Sequence, residues 1–223
     1  MMSRIIEKAK TFLILFKIHI LFKNNRIPLR WKIWYLRKSF QYKKRIFKKD
    51  FNKIFCIGLS KTGTVSLNHA LNILGIKAKH YPAIDSAMYV DIEKHDAISD
   101  TPVAGVYKIL DKKYPYSKFI LTIRDIESWL ISARNHFEGT TRDGLRLKLR
   151  MHLYGVNGFD RDKFEMAYYK HYNDVINYFK NRSEDLLIMN IIDGEGWEKL
   201  CPFLNMKIPK IDFPHLNITI DKN

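Results

Sequence analysis

Residues 58–66, GLSKTGTVS, have the residue types and spacing of a phosphate-binding loop. The apolar run 54–57 precedes them, and apolar residues at helical spacing follow from Val65 to Leu74. Backbone N–H groups at the start of a helix bind anions, and glycine lets the backbone curl close to the ligand. The segment therefore predicts a strand, a loop and a helix that together hold a phosphate group. The alternative is a turn that contains glycine and threonine without binding a ligand.

The same loop departs from the motif of nucleoside triphosphatases. Gly58 and Gly63 have the glycine spacing of G-x-x-x-x-G-K-[ST], but Thr64 and Val65 stand at the lysine and magnesium-binding positions. Val65 has no oxygen to offer a metal, and the lysine lies inside the loop as Lys61. A nucleotide phosphate fits this pattern, whereas the γ-phosphate–Mg²⁺ apparatus has no obvious ligands. No other set of His, Cys or Asp residues has metal-ligand spacing.

A second candidate phosphate contact lies at the end of the clearest predicted strand, the apolar run 118–123. Arg124 follows this strand, and Ser132 lies on the helix predicted after it. An arginine at a strand's carboxyl end offers a bidentate fork to a phosphate, and a helix hydroxyl adds a donor. Open α/β sheets bind their ligands at this edge. Taken alone, Arg124 could instead form a surface ion pair with Asp125 or Glu127.

The segment Lys61-Thr62-Gly63-Thr64 resembles the K-[ST]-G-T loop of sulfotransferases that use 3′-phosphoadenosine 5′-phosphosulfate (PAPS). In that family the loop holds the 5′-phosphosulfate without a metal. The 3′-phosphate binds an arginine at a strand end and a serine eight residues later, which is the spacing of Arg124 and Ser132. The resemblance implies sulfuryl transfer from PAPS to a hydroxyl or amine acceptor, with 3′-phosphoadenosine 5′-phosphate (PAP) as product. The cofactor-binding residues that it implies are Ser60, Lys61, Thr62, Gly63, Thr64, Val65, Ser66, Arg124 and Ser132.

The resemblance covers most of residues 53–217 and is closest to one branch of the superfamily. The phrases of that branch are D-x-P, Y-P-x-x-K-F-I-L-T-x-R-D, G-E-G-W and F-P-H-x-N, which here occupy residues 100–102, 114–125, 194–197 and 213–217. Two family features are missing. Ser66 stands where cytosolic members carry a tryptophan that stacks on adenine, and their glycine-rich basic segment near the C-terminus is not recognisable.

The sequence also contains a basic run, residues 142–150. Arg142, Arg146, Lys148 and Arg150 could substitute in binding the 3′-phosphate, or they could form a solvated face. Trp129 and Trp197 are better explained as core residues than as stacking partners for adenine.

Three residues are candidates for the chemical step. Lys61 is expected to stabilise the bridging oxygen of the leaving phosphate. Many sulfotransferases carry a catalytic histidine just before a proline, and Asp100 in Asp100-Thr101-Pro102 stands at the corresponding place, 24 residues ahead of Arg124. Asp100 could instead cap the helix that opens at Pro102. His80 follows a predicted strand and is the second candidate base, although a lone histidine is more often structural.

The elements that must position these residues alternate along the chain. Strands separated by helices predict an α/β fold in three layers, with a mainly parallel central sheet flanked by helices and a P-loop-like nucleotide site. Strands are predicted at 54–57, 76–81, 97–98, 118–123 and 186–189. Helices are predicted at 65–74, 102–113, 126–137, 164–180 and 197–204.

The formal net charge of +16 is concentrated at the N-terminus. Residues 1–53 contain 16 basic and 2 acidic side chains, so we predict a basic, apolar arm over 1–50 and a near-neutral domain over 51–223. The arm interleaves aromatic and apolar residues with cations, which suits an anionic bilayer surface, basic helices packed on the domain, or, less well, nucleic acid. No apolar run is long enough for a conventional membrane span, and no small-residue signal-peptide cleavage site follows.

The two cysteines, Cys56 and Cys201, exclude a disulfide framework and favour a reducing compartment. We therefore expect a cytoplasmic protein, with peripheral membrane contact through residues 1–50 as an open alternative. The acceptor is not evident from residues 137–164, although the basic arm favours a glycan or a lipid. Two other functions compete with sulfuryl transfer: a P-loop kinase or NTPase, and a basic membrane- or nucleic-acid-binding protein without enzymatic activity.

Overall fold

A single sheet of five parallel strands organises the computed structural model, which describes residues 51–216. The strand order is β2-β3-β1-β4-β5, and every neighbouring pair is parallel. All five strands overlap the segments predicted as strands. Their bounds are Ile54–Cys56 (β1), Ala78–His80 (β2), Ala97–Ser99 (β3), Lys118–Thr122 (β4) and Leu186–Met189 (β5).

Eight helices connect or follow the strands among the described residues. They are Thr64–Ile73 (α1), Ala87–Lys94 (α2), Thr101–Ala104 (α3), Tyr107–Lys113 (α4), Ile126–Phe137 (α5), Gly144–Tyr154 (α6), Arg161–Phe179 (α7) and Trp197–Phe203 (α8), with a short 3₁₀ turn at Ser183–Asp185. Helices α2 and α6 were not predicted. The prediction of a single helix over 102–113 is wrong, because Gly105 and Val106 separate two helices. Helix α6 approaches closely at this point: a Cβ on Gly105 would lie 3.1 Å from Leu149 Cδ1.

The helices cover both faces of the sheet, which confirms the three-layer α/β prediction. Successive strand residues point to opposite faces, so Ile54 and Cys56 of β1 pack with α1 and α8, whereas Phe55 and Ile57 pack with α4 and α7. Both faces are buried, which explains why β1 reads as a continuous apolar run. A third apolar cluster joins α5, α6 and α7 around Trp129.

The carboxyl ends of the strands meet at one edge of the sheet. The register pairs Cys56 of β1 with Ser99 of β3 and with Ile120 of β4, and it pairs Ser99 with His80 of β2. The segments that follow these strands therefore start side by side. Three of the five non-glycine residues with positive φ among residues 51–216 lie in these segments: Lys61 (74°), Tyr81 (50°) and Asp100 (89°). Such strained backbone concentrates at functional sites.

The G-E-G-W and F-P-H-x-N phrases, whose roles the sequence did not explain, pack on each other. A Cβ on Gly196 would lie 3.1 Å from Phe213 Cβ, so glycine is needed for the approach. The Trp197 indole N–H donates to the Ile211 carbonyl at 2.8 Å, and its ring lies 4.8 Å from that of Phe213. Trp197 is buried, which confirms it as a core residue. The predicted arm, residues 1–50, and Asn217 lie outside the described residues.

Candidate active site

The loop after β1 is shaped by contacts with β4. A Cβ on Gly58 would lie 1.9 Å from Thr122 Oγ1, so no larger residue fits unless the chain shifts. The Thr62 hydroxyl donates to the Leu59 carbonyl at 2.7 Å and lies 2.6 Å from Thr122 Oγ1. The Thr62 side chain is therefore used inside the fold, and its backbone N–H also donates to the Leu59 carbonyl, at 3.4 Å.

The top of the loop leads into α1 without a side-chain cap. Gly63 occupies the cap position with φ of 95°, and no side chain accepts from the first backbone N–H groups of the helix. These N–H groups have no intrahelical acceptor and lie at the positive end of the helix dipole. Thr64 is buried at the first helical position, and Val65 is half-buried beside it. The predicted anion site is thus formed by the start of α1 and by the loop that carries Lys61.

Helix α5 holds the outer turn of the loop. The Trp129 indole N–H donates to the Ser60 carbonyl at 2.9 Å, and Arg124 Nη1 donates to the Lys61 carbonyl at 3.5 Å. Trp129 is fully buried, as predicted for a core residue, but it also fixes the backbone that presents Lys61. Arg124, just after β4, therefore contacts the loop that follows β1.

The Arg124 side chain does not form the surface ion pair that the sequence left open. Its Nε donates to Ser128 Oγ at 2.6 Å, a contact that the sequence did not predict. The Asp125 carboxylate instead accepts from the Ser128 backbone N–H at 2.9 Å and caps α5, while Glu127 pairs with Arg161 at 2.7 Å. Burial lowers the pKa of the half-buried Arg124 side chain, although nearby carboxylates oppose this shift.

The backbone of Arg124 is held as firmly as its side chain. The Tyr168 hydroxyl accepts from the Arg124 N–H at 3.0 Å and donates to the Arg124 carbonyl at 2.5 Å. Ser132 is buried in α5, one turn beyond Ser128 and on the same face of the helix. One cation and two hydroxyl groups therefore follow one another from the end of β4 along one face of α5: Arg124, Ser128 and Ser132.

The two candidate bases contact each other. His80 Nε2 lies 3.2 Å from Asp100 Oδ2, and His80 Nδ1 lies 3.1 Å from Ser99 Oγ. Asp100 is only 6% exposed, and its Oδ1 lies 3.0 Å from Thr101 Oγ1 and 3.2 Å from Ser60 Oγ, within hydrogen-bond distance of both. Its carboxylate makes no capping bond to α3. Asp100 therefore occupies the cap position, but its side chain faces the loop and His80 instead.

Comparison with known proteins identifies the family of this chain. A model of the sulfotransferase domain matches residues 53–88 and 84–221. The chain belongs to the sulfotransferase family. It is 24% identical over 208 residues to the Ava biosynthesis cluster protein M of Aspergillus versicolor, covering 74% of this chain and 80% of that protein. A crystal structure of a sulfotransferase from Alicyclobacillus acidocaldarius matches with a TM-score of 0.48 and 13% identity, covering 77% of this chain and 87% of that one.

In this sulfotransferase, Ser66 has a structural partner. The Leu216 backbone N–H donates to Ser66 Oγ at 2.9 Å, and the Ser66 hydroxyl lies 3.4 Å from the Leu216 carbonyl. The hydroxyl thereby fastens the C-terminal segment to α1. Ser66 was predicted to bind the cofactor, and its side chain is committed to this contact.

The basic run 142–150 does not act as one unit. Arg142, Arg146 and Lys148 are exposed, whereas Arg150 is buried. The Arg150 guanidinium donates to the carbonyls of Thr140 at 2.9 Å and Asn157 at 2.5 Å. Arg150 therefore ties together the segments on either side of α6. For Arg150, the solvated face that the sequence offered is wrong, because the side chain is buried.

His136 lies on α5 one turn beyond Ser132, and its side chain is exposed. Desolvation lowers its pKa most, Lys61, Arg150 and Arg142 lower it further, and Asp100 opposes them. Its spacing of four and eight residues from Ser132 and Ser128 places the three residues on one face of α5. No group of three or more His, Cys, Asp or Glu residues in 51–216 could hold a metal.

Among residues 51–216, no helix combines the length and hydrophobicity that a bilayer span requires.

Proposed function

We propose that this sulfotransferase uses PAPS as its donor and transfers the sulfuryl group to a hydroxyl or amine acceptor. The observation that carries this proposal is a pair of anion sites at neighbouring strand ends. One is the uncapped start of α1 with Lys61, and the other is Arg124 with Ser128 and Ser132. The Arg124 contact to the Lys61 carbonyl links the two sites. A nucleotide with phosphate groups at both its 5′ and 3′ positions would occupy both.

The chemical step would divide the remaining residues between donor and acceptor. As the acceptor oxygen or nitrogen forms its bond to sulfur, the bond from sulfur to the bridging phosphate oxygen breaks and PAP leaves. Lys61 would neutralise the charge that develops on that bridging oxygen. The contacting pair of Asp100 and His80 would take the proton that the acceptor loses. Val65, in place of a metal-binding hydroxyl, supports a transfer that does not require Mg²⁺.

For the acceptor we propose a glycan or a lipid, presented near a membrane surface. The support is the basic, apolar sequence of residues 1–50, in which cations alternate with aromatic side chains. Incubation with ³⁵S-labelled PAPS and each acceptor class, with residues 1–50 present and deleted, would identify which class becomes labelled.

Thermal unfolding with added nucleotides tests the donor. A ligand at 100 times its dissociation constant raises the free energy of unfolding by about 2.7 kcal/mol. We expect PAP to raise the melting temperature equally in Mg²⁺ and in EDTA, and AMP, which lacks the 3′-phosphate, to raise it far less. Stabilisation by Mg-ATP and not by PAP would show a kinase-like site instead. If no nucleotide stabilises the protein, it does not act on nucleotides at this loop.

A further inference from the structure

Tyr154, the last residue of α6, buries a hydroxyl group against the candidate active site. The side chain is 2% exposed, and its ring stacks on that of Phe164 with centroids 4.4 Å apart. Its Oη atom has no hydrogen-bond partner among the described residues. Buried hydroxyl groups nearly always have a partner, so this one calls for an explanation.

Polar groups of the candidate active site surround the Tyr154 hydroxyl. Burial and then the Asp100 carboxylate raise the pKa of Tyr154, whereas the adjacent Ser60 and Thr101 lower it. Tyr154 also packs in one apolar cluster with Leu59 and Ala104. The first precedes Ser60 and the second ends α3, the helix that begins at Thr101, so the Tyr154 side chain lies beside the backbone that carries these two hydroxyls. Because its pKa is raised, Tyr154 stays protonated and can act as a donor.

The hydroxyl groups next to Tyr154 leave an acceptor lone pair unused. Ser60 Oγ and Thr101 Oγ1 each contact Asp100 Oδ1, and they also contact each other. Each hydroxyl has a single proton, so two protons cannot fill three contacts. If Ser60 donates to Thr101 and Thr101 donates to Asp100, both lone pairs of Ser60 Oγ become free. One of them can then accept the Tyr154 O–H.

We propose that Tyr154 is a positioning residue for sulfuryl transfer, and that it supplies the last donor in a chain running from Tyr154 through Ser60 and Thr101 to Asp100. Hydrogen bonds that all point the same way strengthen one another. The chain holds Oδ1 of Asp100, which keeps Oδ2 against His80 Nε2. This inference rests on the proposed function, because it assigns Asp100 and His80 to the chemical step.

The structure offers a matched control. Tyr107 is the other buried side chain that lacks a hydrogen-bond partner among the described residues, and it packs in a different apolar cluster, with its ring against those of Tyr178 and His171. Tyr154→Phe and Tyr107→Phe each remove one buried, unpartnered hydroxyl and keep the ring. A purely structural effect would therefore be similar in both variants.

Sulfate release from PAPS, in which water is the acceptor, separates the two variants. We expect Tyr154→Phe to lower the maximal rate about 10-fold or more, because a displaced base costs rate, while its affinity for PAP changes less than about twofold. Tyr107→Phe should match the parent in both quantities. A parent-like rate in Tyr154→Phe, or an equal loss in both variants, would overturn the proposal.

A spectroscopic measurement separates this inference from the donor assignment. The ¹⁵N chemical shifts of the His80 ring, assigned with His80→Gln, report which ring nitrogen carries the proton. We expect them to change in Tyr154→Phe and in Ser60→Ala and to stay unchanged in Tyr107→Phe. Unchanged shifts in the first two variants would refute the chain. If the parent neither binds PAP nor releases sulfate, the donor assignment fails, and the His80 shifts still decide whether the chain exists.

Discussion

At the scale of single residues, Gly58 lies where the phosphate loop passes closest to strand β4. Thr62 and Thr122 meet beneath it, and their two hydroxyl oxygens are 2.6 Å apart. These contacts determine the loop's shape before any ligand binds. A loop fixed in this way loses little conformational entropy on binding an anion.

This packing gives a direct prediction for Gly58→Ala. The added Cβ would lie 1.9 Å from Thr122 Oγ1, so either the loop or β4 must move. We expect the free energy of unfolding to fall by about 1–3 kcal/mol, as in other overpacked cores. We also expect affinity for PAP to fall, because the loop is displaced. Chemical denaturation and calorimetric titration measure the two effects.

Gly158→Ala is the control for that substitution. Its Cβ would have open space, with the nearest atom, the Thr140 carbonyl oxygen, 3.8 Å away. Parent-like stability in Gly158→Ala with a clear loss in Gly58→Ala is the expected pair of results. Equal stability of the two variants would show that Gly58 is not held against β4.

Single residues also show what the sequence could and could not predict about the site. Lys61 and Arg124 follow strands and belong to local motifs, so residue order alone brings them to the same sheet edge. The contact between His80 and Asp100 depends on the register of β2 on β3, which pairs His80 with Ser99. Register is set by non-local packing, so residue order alone does not favour the pair over either residue by itself.

At the scale of elements, strands were easier to predict than helices. Buried parallel strands read as apolar runs, whatever surrounds them. Helix α6 is hard to predict because its sequence has the pattern of a strand: apolar residues at 145, 147, 149, 151 and 153 alternate with polar ones. Its helical state depends on packing against α7 and on a C-terminal Gly155 with φ of 68°. Helix α2 buries only Met88 and Ile92, too few for a periodic signal.

Helix α7 is joined to the central strand by a histidine that titrates. His171 Nε2 lies 2.8 Å from the Ile57 carbonyl, just after β1, and the ring must donate there. Burial lowers the pKa of His171, and the bond to Ile57 opposes this shift only in part. The folded protein therefore binds a proton at this site less readily than the unfolded chain does.

The sign of the resulting pH dependence follows from that difference. The unfolded histidine takes up a proton below about pH 6.5, and the folded one resists doing so until the pH is lower. Stability from His171 is therefore complete above about pH 6.5 and decreases as the pH falls toward the lowered pKa of the folded state. Urea denaturation between pH 5 and 7.5 should show this loss in the parent protein.

His171→Gln isolates the contribution of this histidine, because an amide can still donate to the Ile57 carbonyl but cannot titrate in this range. We expect the variant's stability to decline less steeply on acidification than that of the parent. The same slope in both proteins would mean that His171 does not resist protonation in the fold.

At the scale of the whole molecule, the parallel sheet determines which anion sites can be neighbours. Strands β1 and β4 are paired, so the segments that follow them start beside each other, and Arg124 reaches the Lys61 carbonyl. Two cationic residues therefore lie at the same edge of the sheet: Lys61, in the loop before α1, and Arg124, just before α5. This arrangement is the reason for expecting a ligand with two anionic ends rather than one.

We propose that Arg124 binds the 3′-phosphate of the donor. The affinities of the parent and Arg124→Ala for PAP and for AMP, measured by calorimetry in EDTA, form a thermodynamic cycle that tests it. Arg134→Ala is the control, since this exposed arginine lies on α5, the helix that follows Arg124, and pairs with Glu138.

A charge-assisted contact to phosphate contributes about 1.5–3 kcal/mol, so the preference for PAP over AMP should fall about 10- to 100-fold in Arg124→Ala. Arg134→Ala should retain the full preference of the parent. An equal loss of affinity for both nucleotides in Arg124→Ala, with the preference intact, would contradict the assignment of the 3′-phosphate to Arg124.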